Sequence, residues 1–379
     1  MWVIILFKRI IFILSALIFA FPFCAYADGI NASAAIVTDA KTGAVLYEKN
    51  AYIPLPVAST TKIMTALLAI ESGRLDERLT VTADMLTSEG SSLGLKAGDR
   101  LSFYDLTVGM MLTSGNDAAD CTAIILAGSK KAFAEMMNRR AAEIGMLNTE
   151  FVTPSGLDEG GHHSTAYDMA LLTAEAVSCD IFCEIVSKQS ADIKINGKTV
   201  TVYNHNKLLA RDKSIFGVKT GYTRRAGRCL VTAKKYKGNT VICVTLNCPD
   251  DWETHLRLYK KCQPSYKKQR FSGGVVLPTA SGDKRELGCS YAFELYSPEK
   301  LDVREYFFPF LYAPVGKGDA VGTVCVYSKS ILIERLPIEA DEVLLYNGTE
   351  QFGKTPEVYG GVRSRIKEKI GRAHRAGQG

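Results

Sequence analysis

Ala58-Ser59-Thr60-Thr61-Lys62-Ile63-Met64-Thr65-Ala66-Leu67-Leu68-Ala69-Ile70 is the stretch on which the reading of this chain turns. Ile63, Met64, Ala66, Leu67, Leu68 and Ile70 make it apolar on most faces, so the segment is predicted to be a buried helix that begins near Ser59 and stops at Gly73. Ser59 and Lys62, at i and i+3, then share a face. The helix start adds free N–H groups and partial positive charge beside Ser59. A serine hydroxyl is a weak nucleophile until a base takes its proton. A lysine shielded from water and close to another cation loses part of its charge and becomes such a base. Taken alone, Ser59 reads more readily as a simple helix cap, with Lys62 solvated. The pattern Ser-x-x-Lys also starts at Ser265, Ser281, Ser297 and Ser364, but none of these opens an apolar helix.

Upstream, Ala35-Ile36-Val37 and Ala44-Val45-Leu46-Tyr47 read as a hairpin with Lys41-Thr42-Gly43 at its polar tip. Downstream, Leu101 to Ala127 reads as two helices joined at Thr113-Ser114-Gly115-Asn116, with Asp117 starting and capping the second. Further helices are expected over 132–145 and 165–177, the latter capped by Ser164 or Thr165. Strands follow: 198–203, 229–233 and 240–246. A strand-like run from Ser214 to Val218 leads into Lys219-Thr220-Gly221. On such a strand Lys219 and Gly221 face one side and Thr220 the other. Lys219 offers charge and Thr220 a hydroxyl to a substrate carboxylate, while Gly221 lets a substrate backbone lie close. Ser114 is placed to relay a proton and Asn116 to bond a substrate amide. The three motifs in this order, each on its expected element, outweigh the reading of Ser59 as a cap. Strand, helices, then strands gives a mixed α+β fold: an antiparallel sheet with a helical insertion.

The 379 residues suffice for two domains. Lys8 and Arg9, the apolar run from Ile10 to Phe21 and the Ala25-Tyr26-Ala27 site read as a signal peptide over 1–27, so the mature protein is expected outside the cytoplasm. The catalytic domain is assigned to 28–263. Ser265 to Arg270 reads as a polar linker, and short alternating strands such as 323–327 and 331–338 point to a small C-terminal all-β domain, a β-sandwich over 264–355. A basic tail, 356–379, closes the chain. Much of the +6 net charge lies at the two ends, which leaves the body near −1. That excludes nucleic-acid binding and leaves a weak membrane-surface contact through the tail as an expectation.

Ten cysteines, nine after signal removal, cannot all pair within one chain and read as buried small hydrophobes. His162-His163 has no accompanying His-Glu-x-x-His or carboxylate set, so no metal is expected, and no cofactor. No Gly-x-Ser-x-Gly elbow surrounds a candidate serine.

Ser59-Thr60-Thr61-Lys62, Ser114-Gly115-Asn116 and Lys219-Thr220-Gly221 match the motif triple of penicillin-interacting serine enzymes. With Thr153-Pro154-Ser155-Gly156-Leu157, His163-Ser164-Thr165-Ala166, Asp168-Met169-Ala170 and Tyr222-Thr223, the chain resembles the low-molecular-weight penicillin-binding proteins, the serine-type D-Ala-D-Ala carboxypeptidases. The resemblance covers about residues 30–350. It implies a β-lactamase/transpeptidase-like domain, acylation of Ser59 by peptidoglycan stem peptides and inhibition by β-lactam antibiotics. It maps Lys62 to the base, Ser114 and Asn116 to the second motif, Lys219 and Thr220 to carboxylate recognition, and the N–H groups of Ser59 and Tyr222 to the oxyanion hole. A β-lactamase, a DD-endopeptidase and a non-catalytic wall-binding protein stay open as alternatives. No Glu-x-x-Leu-Asn is present to direct a deacylating water.

Overall fold

The structure, a computed structural model, describes residues 29–280 and 286–345. The segment expected to be a signal peptide, the basic tail and Ser281 lie outside these residues. Packing divides the chain into two compact units. Among the described residues, the first runs to Gln269 and takes back Leu295–Leu301; the second holds the rest from Arg270 to Glu294 and from Asp302.

The first unit is built on a five-stranded sheet. Strands β1 (Ala34–Asp39) and β2 (Val45–Lys49) form the expected hairpin. After the helical region the chain returns as β7 (Ile215–Thr223), β8 (Gly227–Tyr236) and β9 (Asn239–Leu246), giving the order β2-β1-β9-β8-β7 with every pair antiparallel. Both faces are covered. On one face Ile36, Val231, Ile242 and Val244 pack with the helices, and on the other Ala35, Val37, Leu230 and Cys243 pack with Leu258, Tyr259 and Cys262. The central strands are therefore apolar on both sides. This strand order leaves β7 at an edge.

The helical region holds α1 (Lys62–Glu71), α2 (Phe103–Thr113), α3 (Asn116–Ala127), α4 (Lys130–Ile144), α5 (Ala166–Ala176) and α6 (Asp180–Ser187). Two small hairpins, β3 (Arg78–Thr80) with β4 (Arg100–Ser102) and β5 (Ser190–Ile195) with β6 (Lys198–Tyr203), flank it. The short α7 (Leu208–Arg211) precedes β7. As expected, Thr165 caps α5, accepting from the Asp168 N–H at 2.9 Å. Ser59 differs from expectation: it lies in a 3-10 turn, Ala58–Thr61, and α1 begins only at Lys62. No side chain caps that turn, so the cap role is not what Ser59 does there.

Two readings need correction. α8 (Asp251–Cys262) was not foreseen. Its inward residues include His255 and Tyr259, which bond Thr232 at 2.7 Å each, so its buried face is partly polar and its apolar period weak. Nor is Ser265–Arg270 a linker. Tyr266 is 4% exposed and donates to Asp39 Oδ2 at 2.8 Å, anchoring the segment to the first unit. From Lys267 the chain is already strand β10 (Lys267–Pro278). Its lysines and arginine sit on an outer strand, where such charges are common.

The second unit is all β. Strands β10, β11 (Glu286–Ser297), β14 (Ile331–Ala340), β13 (Ala320–Ser328) and β12 (Asp302–Phe307) are neighbours in that order. β11 and β14 pair at only two positions, Cys289↔Ala340 and Ser290↔Glu339. Tyr291 of β11 donates to Glu305 of β12, three strands away in that order, so the sheet folds over on itself.

The nine cysteines of the described residues are all free, and seven are buried. Burial pushes the thiols of Cys121 and Cys229 up to about 12 and those of Cys248 and Cys262 to about 11.

Candidate active site

The site forms where three segments meet at the N-terminal end of α1. The Lys62 amine is wholly buried and touches all three. Its Nζ lies 3.0 Å from Ser59 Oγ, 2.7 Å from Asn116 Oδ1 and 2.8 Å from the Ser155 carbonyl oxygen. Burial lowers its pKa well below 10.5, and the charge of Lys219 lowers it further, against the opposing pull of Asp120 and Asp117. A neutral amine has two N–H donors and one lone pair. Asn116 Oδ1 and the Ser155 carbonyl are pure acceptors and take the two N–H groups, so the lone pair is left for the Ser59 hydroxyl proton. That is the arrangement a general base requires.

Asn116 does not present a free amide. Its oxygen accepts from Lys62, and its nitrogen donates to the Glu89 carbonyl at 2.5 Å. Its partner in structure is thus the base, where the sequence pointed to a substrate amide. The loop that holds it is tied down by Asp117, whose carboxylate accepts from the N–H groups of Leu93, Gly94 and Leu95. Asp117 therefore organises this loop as well as the first turn of α3. Ser114 is buried, with a left-handed φ of 62° at the end of α2. Among the described residues its hydroxyl makes no hydrogen bond to Lys62 or Lys219.

β7 passes directly over the Ser59 turn. A methyl group on Gly221 would lie 3.0 Å from Ser59 N and 3.1 Å from Thr60 N. Any larger residue would have to push the Ser59 turn or the strand apart by a few tenths of an ångström, so glycine keeps the Ser59 and Tyr222 backbones close together. Lys219 and Gly221 pair with Val231 and Cys229 on the helical face, and Thr220 pairs with Leu230 on the other, the alternation expected from the sequence. Lys219 is 2% exposed, donates to the Thr220 carbonyl at 2.9 Å, and is pushed down to about 7 by burial. A carboxylate brought beside it would restore its charge. Tyr222 is 67% exposed at the mouth.

Three contributors were not singled out by chemistry in the sequence. The Ser155 carbonyl acts through the backbone, so no residue type marks it. Pro154 holds the same loop through its carbonyl, which accepts from Thr65 Oγ1 at 2.6 Å. His162, considered above only as a metal ligand, is a clamp. Its Nδ1 accepts from the N–H groups of Val152 and Thr153, so its proton sits on Nε2, which donates to Thr61 Oγ1 at 2.8 Å. Burial drops its pKa to about 4 and keeps it neutral. Among the described residues no group of three or more His, Cys, Asp or Glu side chains is gathered as a metal set.

Gly156 closes the arrangement. It has φ +82°, and a Cβ there would stand 1.9 Å from the Ala58 carbonyl oxygen. Backbone cannot yield as a side chain does. Gly156→Ala is therefore expected to destabilise the protein by about 2–4 kcal/mol, or to displace the loop and slow acylation of Ser59. Thermal unfolding together with labelling kinetics checks this; a variant normal in both would mean that the loop does not support the site.

The family model described as D-alanyl-D-alanine carboxypeptidase, Peptidase_S11, matches residues 22–250. D-alanyl-D-alanine carboxypeptidase DacF of Bacillus subtilis is 30% identical over 347 residues, which cover 86% of this chain and 88% of that protein. DacC of Escherichia coli, also a D-alanyl-D-alanine carboxypeptidase, is 33% identical over 343 residues, covering 82% and 84%. Among solved structures, a variant of the Streptomyces K15 DD-transpeptidase aligns with a TM-score of 0.59 and 29% identity over 62% of this chain and 98% of that one.

Proposed function

This chain belongs to the Peptidase_S11 family of D-alanyl-D-alanine carboxypeptidases, and from that premise we propose how its own residues carry the reaction. It is a serine-type D-Ala-D-Ala carboxypeptidase of the penicillin-binding kind. Its substrate is the peptidoglycan stem peptide, and β-lactams are its inhibitors. The peptide lies antiparallel along the free edge of β7, with its terminal carboxylate at Lys219 and Thr220. Ser59 Oγ attacks the carbonyl carbon of the penultimate D-Ala while neutral Lys62 takes the hydroxyl proton. The N–H groups of Ser59 and Tyr222 hold the oxyanion. The C–N bond then breaks, the departing D-Ala nitrogen receives the proton from Lys62, with Ser114 as the relay, and an ester to Ser59 remains. Water adds to that ester as Lys62 takes its proton, the C–O bond to Ser59 breaks as Lys62 returns the proton to Ser59 Oγ, and the shortened peptide leaves. Asn116 acts through Lys62, holding the amine in line. The three-way hydrogen bonding of the Lys62 amine carries this reading.

The chain acts outside the cytoplasm, at the cell wall or the outer face of the membrane, after removal of residues 1–27. The basic tail adds a weak contact with the anionic surface. Among the described residues no helix is long and apolar enough to cross a membrane.

A penicillin pulse followed by intact-protein mass spectrometry tests the assignment. The ring-opened drug keeps its leaving group tethered over the ester, and no glutamate is recognisable in the sequence to drive water past it. A single adduct on the Ser59 peptide is expected to last minutes or longer, while D-Ala release from a peptide ester turns over much faster. Rapid penicillin turnover with nothing trapped after seconds would move the assignment to β-lactamase.

A further inference from the structure

We propose that the turn joining β7 to β8 recognises a carboxylate on the acyl side of the substrate, and that Arg224 and Arg225 are the residues that read it. The inference rests on the pairing of substrate with β7 proposed above.

Direction comes first. A strand added antiparallel to β7 runs against it. Its terminal carboxylate lies at Lys219 and Thr220 and its reacting carbonyl at Ser59 and Tyr222. The residues before the scissile bond therefore run toward Thr223 and the turn. At about 3.4 Å per residue, the one or two residues preceding the penultimate D-Ala come within reach of an arginine side chain at the turn.

The turn is firmly built. Thr223 Oγ1 accepts from the Ala226 N–H at 2.9 Å, and Ala226 is 2% exposed. Gly227 has φ +65°, and a Cβ there would stand 2.2 Å from Asn247 Oδ1. The next arginine, Arg228, is already answered: it bonds Asp251 at 2.7 Å and lies 5.4 Å over the Trp252 ring. Arg224 and Arg225 are different. Both are exposed, and among the described residues neither makes an ion pair or hydrogen bond. Two adjacent unanswered cations on a fixed turn, at the end where the peptide leaves the cleft, are matched by an anion. The planar guanidinium favours a carboxylate, which it grips with two parallel bonds. The ligand chemistry is thus an acidic stem: a peptide with a free carboxylate within two residues before D-Ala-D-Ala.

The test compares synthetic pentapeptides ending in D-Ala-D-Ala. One has a third residue with a free side-chain carboxylate (meso-diaminopimelate), one its side-chain amide, and one lysine at that position; a second pair has a free or amidated carboxylate on residue two. D-Ala release is measured in 20 mM and 500 mM NaCl. Wild type is expected to prefer a free carboxylate at one of these positions by about 5- to 20-fold in kcat/KM at low salt. The preference should lie in KM and shrink at high salt. The double variant Arg224→Ser, Arg225→Ser should lose it, and Arg224→Lys, Arg225→Lys should retain part of it. Penicillin labelling of each variant reports whether the Ser59 turn is intact; if the serine pair labels poorly, the lysine pair and the wild-type salt dependence decide. A serine pair that labels normally and keeps the full preference would overturn the proposal, as would a wild type without preference at low salt. Failure of the catalytic reading looks different: wild type would then release D-Ala from none of the peptides and take no penicillin.

Discussion

Ser59→Ala is expected to abolish both D-Ala release and penicillin labelling while the protein keeps its fold. The change removes only an oxygen, and from a half-buried turn that makes no cap bond. Stability should therefore change little. The chemistry should fall by about 10⁴-fold or more, the scale seen when a covalent nucleophile is lost. Intact mass after a penicillin pulse, with circular dichroism as the folding control, reads both. Ser297→Ala should alter neither, since Ser297 lies outside the first unit's cleft and its hydroxyl accepts from the Glu299 N–H. Residual labelling of Ser59→Ala would refute the nucleophile.

Lys62→Met should cause the second largest loss. Methionine nearly fills the volume but can neither take nor return a proton. The base contributes at both ester formation and ester hydrolysis, so a loss of about 10³-fold in kcat/KM is expected at neutral pH, within the 10²- to 10⁴-fold usual for a base at each step. Stability responds to two opposed effects. A buried amine no longer resists burial, yet Asn116 Oδ1 and the Ser155 carbonyl lose their donor, at about 1–3 kcal/mol each. The pH profile discriminates. Wild-type acylation should rise with pH as Lys62 becomes neutral, with an acid limb far below the ordinary lysine range. The variant should lack that limb. A Lys62→Met protein whose acylation keeps the wild-type acid limb would assign the base elsewhere.

The residues named in these experiments were legible because side chains do the work. Serine and lysine three apart before an apolar helix, and glycine after lysine-threonine on a strand, carry their chemistry in their letters. What stayed hidden acts through the backbone or through shape. The Glu89 and Ser155 carbonyls hold Asn116 and Lys62, and any residue could supply a carbonyl. Gly156 looked like ordinary punctuation until its approach to the Ala58 carbonyl was visible. Arrangement of the fold was read from apolar periodicity, which served for α1 and the central strands. It failed at α8, whose buried face carries histidine and tyrosine, and at Tyr266, whose charged neighbours belong to the exposed positions of a strand.

The buried free thiols set how such a chain can fail. In the folded protein the thiols of Cys121, Cys229, Cys248 and Cys262 are both covered and held far from ionisation, so exchange chemistry has no thiolate to use. An opened chain has no such protection: its cysteines return to the ordinary value of about 8.5 and all become reachable at once. In oxidising surroundings each opening therefore competes with an irreversible step, bond formation between wrong partners. Survival there is then governed by how seldom the molecule opens, a rate, more than by the equilibrium between folded and unfolded forms. In such surroundings this cysteine content makes the height of the unfolding barrier, and not the depth of the folded well, the quantity that sets the protein's lifetime.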